Sequence, residues 1–162
     1  MAFLIKNTNS NVTPQTAVVD QWQLTSVPTA TNPASTSRAL FNVVGGRVLV
    51  KALWATITTV QQTQTNNTSV TFTPTGGSNA DVASNLDTTA DAVGTNWIVE
   101  GDATALISPT TVNFFSVPAI TSQFFVIDTG TIYWKTSATS TGAAKWDIVW
   151  QPLDAGGKVT AA

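Results

Sequence analysis

The polar positions of this chain are held by Thr, Ser, Asn and Gln rather than by Lys and Glu. Charged side chains make up 10% of the sequence, against about 25% in ordinary soluble domains. Val, Ile, Phe and six Trp supply the apolar positions around them. β-Branched and aromatic side chains suit the half-buried surface of a pleated sheet, so this inventory selects strands. A length of 162 residues corresponds to one domain, on a scale of roughly 100–200 residues each. With 43% hydrophobic residues the chain can bury a core, and charge-driven disorder is disfavoured. The charge deficit fits a surface kept soluble by hydroxyls and amides. It equally fits a surface buried against neighbouring subunits, where interface cores are depleted of charge.

The same inventory is poor in reactive groups. There is no His and no Cys, which removes a serine triad, a cysteine nucleophile, disulfides and thiolate metal sites. No Gly-x-Ser-x-Gly elbow and no phosphate-binding Gly loop ending in Lys-Ser/Thr occurs. Asp81, Asp87, Asp91 and Asp102 form the one acidic concentration, without the spacing of a calcium loop. Glu100 is the sole Glu, and glycoside hydrolysis needs a second carboxyl facing it across a cleft. The expectation is a protein without catalysis, metal or cofactor. The basic residues Lys6, Arg38, Arg47, Lys51, Lys135, Lys145 and Lys158 are scattered. Phosphate-backbone binding needs clustered cations, so nucleic acid is not expected as a partner. No apolar run approaches the ~18 residues of a membrane helix, so no membrane is expected either. The apolar start around Phe3-Leu4-Ile5 is too short for a secretory leader, which points to synthesis in a cytoplasm.

Residues 1–37 read as an N-terminal arm. Phe3, Leu4 and Ile5 form a short apolar segment, residues 16–24 can form another strand, and polar Pro-containing stretches lie between and after them. Pro14, Pro28 and Pro33 argue against a central strand there. An extended arm of this kind can add a strand to a neighbour's sheet. Phe3, Leu4, Ile5 and Trp22 are therefore the candidate residues for contact with a neighbouring subunit or another partner surface.

The body, residues 38–162, reads as about nine or ten short strands punctuated by Gly, Pro and Asn. This is the spacing of an all-β sandwich or jelly roll. Gly45-Gly46 between residues 39–44 and 47–60 is a two-residue hairpin signal. In the second of those strands Val48, Val50, Ala52 and Trp54 share one face, with Leu49, Leu53 and Ile57 on the other. Residues 78–92 have room for a turn or two of helix. Further short strands are expected at 70–73, 96–100, 104–107, 111–117 and 123–127. Residues 131–136 and 145–150 read as a closing hairpin, with Trp146, Ile148 and Trp150 pointing to one side. The tryptophans suit core packing, with a protein interface or a sugar-stacking platform as the other uses.

Three segments carry a family likeness: residues 40–50 with 54–60, residues 83–95, and residues 128–132 with 140–146 and 151–159. Together they resemble the capsid decoration (cement) proteins of tailed bacteriophages, over residues 38–162. The resemblance implies a homotrimer on the capsid exterior, seated on local three-fold axes and binding the major capsid protein across capsomer boundaries. Assembly in the host cytoplasm is consistent with the missing leader. The other reading left open is a receptor- or carbohydrate-binding module of a phage tail or fibre, with exposed Trp in a groove.

Overall fold

The computed structural model describes residues 21–99 and 124–162. Phe3, Leu4 and Ile5 lie outside these residues, as do the strands expected at 104–107 and 111–117.

Ten strands follow in chain order: β1 (Gln23–Thr31), β2 (Ser37–Val44), β3 (Val48–Thr59), β4 (Asn67–Pro74), β5 (Ala80–Asp87), β6 (Asn96–Val99), β7 (Phe125–Ile127), β8 (Gly130–Thr136), β9 (Ala143–Pro152) and β10 (Lys158–Ala161). Sheet A has the order β1-β9-β3-β6, with β7 also on β3, and sheet B the order β10-β2-β8-β4-β5. Every pairing is antiparallel. The pairs β1–β9, β2–β8, β3–β6 and β4–β5 fold the first half of the chain back along the second. That double ribbon then rolls into two facing sheets, a jelly-roll-like β-sandwich as expected.

This winding overturns two expected hairpins. β2 and β3, flanking Gly45-Gly46, belong to different sheets, and so do β8 and β9. Both connections arch across the sandwich. Alternation identifies which side chains face the core but not which sheet carries them: Trp134 of β8 and Trp146 of β9 face the same core from opposite sheets, with ring centroids 5.6 Å apart. The Gly76-Gly77 turn joins β4 to β5, which do pair.

The face assignment of β3 also changes. A register shift between Val50 and Ala52 inserts one extra residue opposite β9, and a bulge of this kind reverses the alternation beyond it. Val48 and Val50 face the core before the bulge, and Leu53, Ala55 and Ile57 after it. Trp54 therefore points outward and is half-buried. No helix forms at 78–92, where β5 occupies Ala80–Asp87.

The arm boundary at residue 37 is displaced as well. β1 is already hydrogen-bonded along β9, so residues 23–31 belong to the sandwich. Proline chemistry explains its place. β1 is the edge of sheet A, and Pro28 sits where the register slips between Val27 and Ala30, the positions a residue without an N–H tolerates.

Trp97, Trp134 and Trp146 are fully buried at the centre of the core, with centroids 5.6–6.2 Å apart in tilted and edge-on contacts. Trp150 joins the same core, and its indole N–H donates to Thr25 Oγ1 at 3.0 Å. The residues Trp146, Ile148 and Trp150 all face inward, as the alternation predicts.

At one end of the sandwich the β2–β3 arch packs on the β9–β10 arch. Gly45 adopts φ +76°, and a Cβ there would lie 2.2 Å from the Gly156 carbonyl oxygen. Arg47 Nε and Nη2 donate to Asp154 Oδ2 and Oδ1, each at 2.9 Å.

Candidate functional site

The outer face of sheet A carries a cluster of apolar side chains in the open. Register places them. Leu24 of β1 lies opposite Val149 of β9, and Leu49 of β3 lies opposite Val126 of β7. Each of these positions alternates with an inward neighbour, so all four point away from the core. Trp22 and Phe124 precede β1 and β7 by the same alternation and stack together, with centroids 5.5 Å apart. The Lys51 ammonium sits 5.0 Å above the Trp22 ring, a cation–π contact supplied from the bulge in β3. Exposure is 37% at Trp22, 61% at Leu24, 50% at Phe124 and 55% at Val126. Large apolar side chains exposed singly are ordinary, but a contiguous group of them marks a contact surface.

Part of the polar surface of the same face is internally paired. Asp147 is buried, accepts from Ser26 Oγ and lies 3.1 Å from Lys145 Nζ. Its charge is thus neutralised within the face, leaving the apolar cluster as the exposed feature beside it.

Of the expected contact residues, the structure places Trp22 in this cluster. Trp22 owes its position to β1, which aligns it with Leu24 rather than with an independent arm. Sequence reasoning missed Leu24, Leu49, Phe124 and Val126. The signal was present in Phe124-Phe125-Val126-Ile127, four consecutive apolar residues of which a strand can turn half inward. Phe125 and Ile127 take the core and leave the other two exposed.

The acidic residues do separate work. Asp87 closes a local turn, accepting from the Thr89 N–H at 3.0 Å and from its hydroxyl at 2.6 Å, and these bonds lower its pKa. Asp91 accepts from Trp97 Nε1 at 2.7 Å. Burial raises its pKa against the lowering effect of that bond. Among the described residues no three acidic side chains converge as metal ligands would. Glu100 and Asp102 lie outside the described residues.

Four of the six tryptophans serve core packing. Trp97, Trp134, Trp146 and Trp150 are in the core, Trp54 is half-buried on sheet A, and Trp22 belongs to the cluster with Phe124.

Comparison with protein-family models, curated proteins and solved structures finds no match to this chain.

Proposed function

We propose that this chain is a structural virion protein of a tailed bacteriophage. It decorates the exterior of the capsid and stabilises it by binding the major capsid protein across capsomer boundaries, as a homotrimer. The observation that carries this reading is the exposed apolar cluster of Trp22, Leu24, Phe124 and Val126 on one face of a rigid sandwich. An aromatic pair beside aliphatic residues, with one cation at its edge, has the composition of a binding anchor. The low charge of the whole chain favours a protein that spends its surface on subunit contacts. The resemblance of residues 38–162 to decoration proteins supplies the partner. Repetition over a shell makes a modest contact area sufficient, because linked copies raise avidity without any strong single contact.

The test is saturation of undecorated phage heads, read by sedimentation, with copy number per particle measured at saturation. Many copies per head are expected for the intact protein. Leu24→Asp and Val126→Asp are expected to abolish binding while shifting folding stability by no more than about 0.5 kcal/mol, since both sites are exposed. Deleting residues 1–20 tests the arm without cutting into β1. Few copies per particle, located at a tail or fibre tip in an averaged virion image, would overturn the proposal in favour of a receptor-binding module. Full occupancy by the Asp variants would overturn the role of the cluster.

A further inference from the structure

The outer face of sheet B holds a second feature, on the side of the sandwich opposite the apolar cluster and towards its other end. Over much of this face polar side chains are spent on one another. Thr131 Oγ1 donates to Asn42 Oδ1 at 2.9 Å, and Thr73 Oγ1 donates to Asn79 Oδ1. Where β4, β5 and β8 meet near residues 67 and 135, the face sinks into a groove of about 300 Å³. Asn67, Ser69, Asp81, Ser84, Asn85 and Lys135 line it. None of these six side chains makes a hydrogen bond or ion pair to another described residue. Asp81 and Lys135 share the groove without pairing.

The concavity is built by β5. Its register against β4 slips twice, between Thr68 and Val70 and between Val70 and Thr71. Each slip adds a residue to β5, which bends the strand and redirects side chains. Ser84 and Asn85 fall in the first slip, between the pairs Thr68–Leu86 and Val70–Ala83. The groove wall opposite is held by Asn67 and Ser137, which exchange backbone and side-chain bonds: Ser137 N donates to the Asn67 carbonyl at 2.9 Å, and Asn67 N donates to Ser137 Oγ at 2.8 Å.

We propose that this groove binds a saccharide unit. The residues that line it are all polar, with amides, hydroxyls, one carboxylate and one ammonium, which suits a ligand whose own surface is mostly hydroxyl. The opposed charges of Asp81 and Lys135 cancel, so the site concentrates neither phosphates nor cations. A carboxylate can accept from two neighbouring sugar hydroxyls, and an amide can donate to one and accept from the next. Tyr133, the chain's one tyrosine, stands on β8 two positions from Lys135 on the same outer face, opposite Thr71. It lies outside the groove's lining, so recognition there rests on the polar groups. The volume is at the small end of the ~300–1,000 Å³ of ligand sites, matching one or two sugar rings. The site differs in place and chemistry from the Trp-lined platform that the sequence suggests. It stands independently of capsid binding, but a particle held through sheet A would present it outward.

The test is NMR titration of the isolated full-length protein with glucose, galactose, N-acetylglucosamine and their methyl glycosides. The expected result is a saturable shift of the amides of residues 67–69, 84–85 and 135 by at least one of them, in the millimolar range. Asp81→Ala and Asn85→Ala, both at exposed positions, should weaken it about 10-fold or more with unchanged melting temperature, as loss of a bond to a charged or bidentate group predicts. Absence of saturable shifts for every sugar would overturn the proposal. So would shifts that persist in both variants or centre on Trp22. Neither outcome bears on head binding, which is measured separately.

Discussion

Asp154 grips Arg47 three times: its carboxylate accepts from Nε, from Nη2 and from the Arg47 backbone N–H, each at 2.9 Å. The bonds tie the arch from sheet B into sheet A to the arch that returns. They hold the Asp154 carboxyl down at about 2, the side-chain bond contributing most and the backbone bond next. A carboxylate with a depressed native pKa stabilises the fold above its unfolded value of 3.8 and loses that contribution as pH falls to about 2. Asp154→Asn should therefore melt below the parent at pH 6, and the gap should close between about pH 4 and pH 2. Thermal denaturation of both proteins across that range is the measurement. A gap independent of pH would show that the ion pair is not its source.

Asp91 should behave in the opposite sense. Its pKa is raised by burial, so the native state takes up a proton more readily than the unfolded chain and this carboxylate costs stability when ionised. Asp91→Asn keeps an acceptor for Trp97 Nε1 and removes the buried charge. It is expected to melt at or above the parent at pH 7. The advantage should shrink as pH falls through the raised pKa towards 3.8. A variant less stable than the parent at pH 7 would contradict this.

Two glycines separate conformational cost from steric cost. Gly76 at φ +75° has open space where a Cβ would stand, whereas Gly45 at φ +76° faces the Gly156 carbonyl oxygen at 2.2 Å. Gly76→Ala should cost the left-handed penalty alone, about 1–2 kcal/mol. Gly45→Ala should cost more than that, because the two arches must part. Denaturant titration of both variants gives the comparison, and equal losses would mean that the arches separate freely.

The buried indoles are not equivalent. Trp97 donates to Asp91, while the N–H groups of Trp134 and Trp146 find no acceptor among the described residues. Replacing any of them by Phe opens space in the core, but Trp97→Phe also strands a half-buried acceptor. Its loss should exceed that of Trp134→Phe by about 1 kcal/mol or more, measured by chemical denaturation at neutral pH.

The side of each strand that faces the core was legible where alternation is unbroken, as in Trp146, Ile148 and Trp150. It was illegible in β3, because the bulge at residues 50–52 reverses alternation without any Gly or Pro to announce it. Gly45-Gly46 marks a reversal correctly, yet two glycines serve a hairpin and an arch alike. The difference lies in partners far along the chain, such as the Gly156 turn that Gly45 meets. Trp22 stood out by its chemistry. Its companion Phe124 did not, since only the pairing of β7 with β3 brings the two together. The groove on sheet B was invisible for the same reason: its residues come from three strands, and its curvature comes from slips in register.

The interleaving of the sandwich has a kinetic consequence. β9 lies between β1 and β3, and β8 lies between β2 and β4. β4 can pair with β5 and β3 with β6 as the chain emerges, but β1 and β2 have no strand partner until β8, β9 and β10 are available. A ribosome must therefore deliver nearly the whole described chain before either sheet can be completed, and β1 and β2 wait unpaired until then. Such long-range closure is slow and leaves the nascent chain open to strand exchange with its neighbours. In a cell making many copies at once, the hazard of mispairing is greatest in the seconds before β8 and β9 emerge.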